Sequence, residues 1–174
     1  MKRALSVACL LVAVLYAYAL AQNKPESKMP PKKPSSPMFD QIKALAGEWE
    51  GKMSDGTPAS TSYRVVSNGS AVMNVLDPGG PMEMVTMFHQ DGPAVMVTHY
   101  CAVGNQPRMV ATAASKPNVI EFRFKDVTNV TSSGEGHMYG LVLRIQDADH
   151  HRQEWTFRQG GKDQTEVFEL ARKR

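Results

Sequence analysis

Cysteine is scarce in this chain of 174 residues, which holds two, Cys9 and Cys101. Cys9 falls in an apolar N-terminal run, so the chain beyond that run keeps one thiol and has no intramolecular disulfide available to it. A lone thiol in an oxidising compartment is buried, reactive or paired with another chain. Burial is the plainest reading, since free cysteine behaves as a small apolar side chain. A basic stripe is missing too. The formal charge of +3 is concentrated before the domain, because from Met38 onward 14 Lys and Arg stand against 16 Asp and Glu. Few aromatics lie beside basic residues, and nucleic-acid binding is disfavoured despite a calculated pI of 8.9.

The only long apolar run is at the start. M-K-R precedes A-L-S-V-A-C-L-L-V-A-V-L-Y-A-Y, and Ala19-Leu20-Ala21 supplies a small-x-small site. This layout predicts a signal peptide over 1–21, cleaved near Ala21, and a secreted or periplasmic product. The run approaches the length that spans a bilayer, so a membrane tether is the alternative if the leader is not cleaved. Residues 22–37, rich in Pro, Lys and Ser, predict an extended or disordered linker. Residues 38–174 then form one domain of ordinary size.

Within it, M-F-D-Q-I-K-A-L-A (Met38 to Ala46) has the spacing of a short amphipathic helix. Beyond Gly47 the apolar period changes to two, and turn signals recur at the spacing of all-β domains. Ser67-Asn68-Gly69-Ser70, Gln90-Asp91-Gly92-Pro93, Gly104-Asn105, Lys116-Pro117-Asn118, Asp147-Ala148-Asp149 and Gly160-Gly161-Lys162-Asp163 mark them. About ten antiparallel strands follow in sequential order. The predicted fold is all-β, an up-and-down barrel behind a short N-terminal helix, because a long meander exposes its edges unless it closes. A sandwich is the alternative.

The segment T-H-Y-C-A-V-G-N-Q-P-R-M holds His99, Cys101 and Arg108. Taking Asp91-Gly92 as a two-residue loop places Met82, Met84, Thr86, Phe88, Val95, Val97, His99 and Cys101 on one face, and that face is read as the inside. The same treatment of Gly104-Asn105 pairs Cys101 with Arg108, so His99, Cys101 and Arg108 share the inner face. A one-residue difference in that loop would move Arg108 outside. Phe122 and Phe124 alternate with charged residues, as does Trp155, while Tyr139 shares a face with His137, Leu141 and Leu143. These suggest an apolar and aromatic lining with a few polar groups, as small-molecule sites require; a solid core is the alternative. His150-His151 beside Asp149 reads as a solvated turn.

Thiol catalysis by Cys101 needs a base in hydrogen-bond reach, and His99 is two residues away on the same strand, about 6.6–6.8 Å along it. Met82, Met84, His99 and Cys101 are soft or borderline ligands that would suit Cu(I), yet methionine is also a flexible core filler. An inward Arg108 is suited to a carboxylate through paired charge-assisted bonds.

F-D-Q-I-K-A-L-A-G-E-W-E-G resembles the start of calycin barrels, the group of lipocalins, fatty-acid-binding proteins and nitrobindins, and the chain is most similar to small bacterial lipocalin-like secreted domains. The matching motif is Gly-x-Trp, at Gly47 and Trp49. The resemblance implies that Trp49 closes the barrel base and that Arg172 packs over it. Nitrobindins take haem on a histidine near the C-terminus; Gln164 to Ala171 contains none, so no haem and no other cofactor is expected. The reading is an exported barrel binding a small apolar or amphipathic molecule, with a carboxylate as one candidate. The alternatives are an exported enzyme or redox/metal protein using Cys101 and His99, and a structural barrel with a filled core.

Overall fold

A serine, a proline and an apolar spacing start the fold. Ser36 caps helix α1 (Pro37–Ala44), its hydroxyl accepting from the Phe39 amide at 3.2 Å, and Pro37 occupies the first turn. Met38, Phe39 and Ile42 lie on the buried face. The computed structural model describes residues 31–112 and 116–174. The leader and residues 22–30 of the linker therefore lie outside the described residues. At the end of the segment read as linker, the Ser36 amide donates to the Gln90 side chain at 2.8 Å, and Lys43 donates to the Ser35 hydroxyl at 2.8 Å.

Ten strands follow: β1 (Gly47–Met53), β2 (Pro58–Val66), β3 (Ala71–Leu76), β4 (Met84–Asp91), β5 (Ala94–Tyr100), β6 (Gln106–Ala111), β7 (Val119–Thr128), β8 (His137–Ile145), β9 (His150–Gln159) and β10 (Lys162–Arg172). Each pairs antiparallel with its neighbour in sequence, and β10 returns to β1 to close a barrel. The predicted meander is the observed one, and closure excludes the sandwich. The turns use the residues that tolerate left-handed backbone: Ser67, Asn68 and Gly69 all have positive φ in the turn between β2 and β3.

Alternation along each strand divides inside from outside. The end nearest α1 is sealed. There Trp49, Tyr63, Val72, Phe88, Val95, Ile120, Leu143 and Leu170 are buried together with Phe39, Ile42 and Leu45 of the helix region. At the opposite end the inward positions Met53, Ala59, Met84, Cys101, Met138, Phe157 and Phe168 are only half-buried. The barrel thus has a floor closed by the helix and, as its mouth, a less buried end opposite, where Asn105, Pro107 and Gly136 are nonetheless buried.

The floor is fastened where β1 meets β10. Trp49 faces Arg172 across that pair, and the guanidinium stacks over the indole ring, 4.2 Å from its centre. The indole N–H donates to the Leu45 carbonyl at 2.8 Å. Arg172 donates further to the carbonyls of Ala46 (2.7 Å), Ala148 (3.0 Å) and Ala44 (3.1 Å), tying the helix end, β1 and the β8–β9 turn to the last strand. Two glycines make the approach feasible. Gly47 has φ +134°, and a Cβ there would stand 2.7 Å from Arg172 Nη1; a Cβ on Gly51 would collide with the Glu169 carbonyl oxygen.

Removing the guanidinium should loosen this closure. Arg172→Ala is expected to cost about 2–4 kcal/mol in urea unfolding, from the lost stacking and charge-assisted bonds. Arg172→Lys should recover less than half of it, because an ammonium lacks the planar fork. An unfolding midpoint equal to wild type in Arg172→Ala would refute the role assigned to this side chain.

Candidate functional site

The β5–β6 hairpin does not have the predicted register. Thr98 faces Arg108, Val97 faces Met109 and Val95 faces Ala111. The turn spans Cys101 to Asn105, closed by Cys101 N–H to the Asn105 carbonyl at 3.1 Å and Gly104 N–H to the Cys101 carbonyl at 2.9 Å. Reading Gly104-Asn105 as a two-residue loop misplaced the pairing by an odd number, and an odd slip reverses the face. Arg108 therefore points outward, in a paired bond to Asp126 with both contacts at 2.6 Å. That bond holds the Asp126 carboxyl below its usual range, and Arg108 is not among the interior groups. At the β4–β5 hairpin the loop is Gly92-Pro93, with Asp91 facing Ala94 and Thr86 facing His99. That slip is even, so Met84, Thr86 and His99 keep the inner face, while Met82 lies outside the strands and is exposed.

An irregularity in β8 redirects Tyr139. A bulge between Met138 and Gly140 puts Met138 opposite Phe157 and His137 opposite Arg158, so the expected shared face of Tyr139, His137 and Leu141 is broken. Tyr139 stacks on Phe124 at 4.8 Å, His137 lies 5.0 Å from Phe124, and the Arg158 guanidinium sits 3.4 Å over Tyr139. This half-buried aromatic cluster stands apart from the main core. Phe122 and Trp155 are in that core, and Met84 packs against it.

What the structure gathers inside is a polar belt. Tyr63 faces Asn74, Asn74 faces Thr86 and Thr86 faces His99, on four successive strands. All four are buried, and so are Thr61, Gln153 and His151. Bonds then cross the lumen. Gln153 donates to the Tyr63 hydroxyl at 2.7 Å, the Trp155 indole N–H donates to Gln153 at 2.8 Å, and the Trp155 ring lies 4.8 Å from the His99 ring. His99 Nδ1 meets the Thr86 hydroxyl at 2.8 Å. Asn74 donates to Thr61 Oγ1 at 2.5 Å and to the Ser62 carbonyl at 3.0 Å. His151, read from sequence as a solvated turn residue, is buried on β9 with its ring edge-on to Trp49 at 4.3 Å, while His150 beside it is exposed and bonded to Asp147. Alternation separates the two: one position on a strand reverses the face.

The belt is not fully satisfied. Asn74 Oδ1, His99 Nε2 and His151 Nδ1 are buried without a hydrogen-bond partner, and such groups ordinarily find one. Because His99 uses Nδ1 on Thr86 and leaves Nε2 free, no His99–Cys101 pair forms; Cys101 sits half-buried at the next inward position toward the mouth. Burial lowers His99 to about 4, and burial aided by the Arg172 charge lowers His151 to about 4, so both are neutral imidazoles near neutral pH. Burial also pushes the Tyr63 phenol up. The arrangement places hydrogen-bonding groups in an apolar interior, and among the described residues no thiol–imidazole pair forms.

Sequence reasoning placed Thr86 and His99 inside but missed Thr61, Tyr63, Asn74, His151 and Gln153. The signal was present at period two: Asn74 stands between inward Val72 and Leu76, and Gln153 stands two before Trp155.

Comparison with solved structures finds the crystal structure of Rv2717c from M. tuberculosis to be similar: 16% identity, TM-score 0.57, covering 81% of this chain and 100% of that one. At that identity the likeness shows the barrel fold alone. No protein-family model and no curated protein matches the chain.

Neutral buried histidines have a measurable consequence. The unfolded chain takes up their protons near pH 6.5 while the fold refuses them until about 4. The stability they contribute is complete above about pH 6.5 and is lost as pH falls toward 4, at up to about 1.4 kcal/mol per pH unit for each. Urea titrations between these limits should show a shallower pH slope for the doubly substituted His99→Gln/His151→Gln protein than for wild type. Equal slopes would show that neither histidine is held neutral.

Proposed function

We propose that the barrel binds a small apolar or amphipathic molecule in its interior, entering through the mouth and lying against the polar belt. The observation that carries this reading is the set of buried polar atoms without partners on the inner wall, Asn74 Oδ1 and His99 Nε2. Leaving such atoms unpaired costs stability, which a ligand bonded to them would offset. Above them the wall is apolar and adaptable, with Met84, Met138 and Phe168 half-buried against the core. A carboxylate ligand loses its main support, since the arginine that would have held it faces outward. Export by the N-terminal leader, and a secreted or periplasmic location, belong to the same reading and rest on the basic, apolar and small-x-small layout of residues 1–21. The catalytic alternative lacks a partnered thiol.

Native mass spectrometry of protein purified without detergent should show a bound mass that denaturation releases. A neutral fluorescent apolar probe should bind the emptied protein and change Trp155 emission. Labelling Cys101 with a bulky maleimide should slow probe uptake severalfold, because that side chain occupies the inward position one step nearer the mouth than His99. No retained mass in any preparation, together with no probe uptake, would eliminate the binding reading.

A further inference from the structure

The two unpartnered atoms are chemically different, and the bonds around them determine how. The Asn74 amide has a fixed orientation: its nitrogen donates to the Ser62 carbonyl and to Thr61 Oγ1, whose own hydrogen is donated to the Val75 carbonyl at 2.8 Å. Both donors of the amide are used, and Oδ1 is left as a bare acceptor. The His99 tautomer follows from a similar count. The Thr86 hydroxyl has His99 Nδ1 as its only partner among the described residues. If Nδ1 carried the proton, the Thr86 hydrogen and the Nε2 lone pair would both be orphaned. If Thr86 donates to Nδ1, a single donor, Nε2–H, remains. Each arrangement orphans one donor and the first orphans an acceptor as well, so the second is favoured.

The wall thus presents an acceptor on β3 and a donor on β5, flanking Thr86 on β4. The three residues stand directly opposite one another, two inter-strand steps of about 4.8 Å from first to last. No charged group accompanies them: among the described residues, the buried polar set contains no lysine, arginine or carboxylate. Arg172, the cation at the floor, already donates to three carbonyls and covers Trp49. An ionised carboxylate brought here would be desolvated without a counter-charge, whereas a neutral group that both accepts and donates would complete the two unmet bonds.

Resting on the binding reading above, we infer that the interior selects a neutral polar headgroup that accepts a hydrogen bond from His99 and donates one to Asn74, such as a primary amide or hydroxyl on an apolar chain. An ionised acid of the same chain length is discriminated against. Leu76 and Met84, the next inward positions toward the mouth, face each other and would lie along the chain of such a molecule.

The test is a matched series. Displacement of bound N-phenyl-1-naphthylamine from the emptied full-length protein is measured with dodecanamide, 1-dodecanol, dodecanoate and dodecane, at about pH 7.5 where the acid is ionised. The amide and the alcohol should each compete at least about tenfold better than dodecanoate or dodecane. Asn74→Leu and His99→Phe should each reduce that preference while leaving probe binding intact. Thr86→Val, nearly isosteric, frees the His99 tautomer and should weaken the preference even where the other two variants fold poorly. Dodecanoate binding as tightly as the amide would overturn the headgroup inference and leave the binding reading standing. A preference that survives all three substitutions would overturn the assignment of the anchor. Absence of probe binding to wild type would remove the binding reading and this inference with it.

Discussion

The structure depends on one contact between its first and last strands. A barrel made by consecutive hairpins is only a curled sheet until β1 meets β10, and the two edges must approach closely over their whole length. Gly51 permits that approach because any side chain there would strike the Glu169 carbonyl. Arg172 then fixes it by stacking on Trp49 and holding three backbone carbonyls from other parts of the chain. With the floor fixed, the helix covers it, and the interior polar groups are kept from water on that side. Their neutrality follows from this geometry, since the low proton affinity of His99 and His151 is chiefly an effect of burial.

The strands were readable because turn residues and period-two alternation are local signals. Asn68-Gly69, Gly92 and Gly160-Gly161 mark turns whose positive φ favours these residue types. Pairing register is another matter, because it depends on turn geometry that sequence underdetermines. A slip of two residues at Gly92 left every side chain on its expected face, whereas the odd slip at Cys101–Asn105 sent Arg108 to the outside. The bulge after Met138 had no warning in composition, and it detached Tyr139 and His137 from the face of Leu141 and Leu143.

The candidate site was legible only in part for a related reason. Small polar residues in strands usually face solvent, so Thr61 and Asn74 attract little notice in a sequence. They become informative once the barrel is closed and their positions are known to be internal. His99 was identified because its histidine chemistry is conspicuous, while its partner Thr86 is an ordinary strand residue. The long bonds from Gln153 to Tyr63, and the contact of Trp155 with His99, join strands that do not pair with each other. Such cross-lumen contacts leave no trace in local pattern.

The connectivity also sets an order of assembly. Every strand pairing except one joins neighbours in sequence, and the exception spans residues 49–53 and 168–172. Hairpins close short loops and form early, but the last pairing must gather the ends of a chain more than a hundred residues long, with a correspondingly larger entropic cost. During synthesis the open sheet would have two unpaired edges and no interior until β10 emerged. Neither Trp49 nor His151 could be shielded before that moment, because Arg172 and Leu170 arrive with the closing strand. The enclosed interior, with its polar belt, is therefore created in the final step of folding, when β10 pairs with β1.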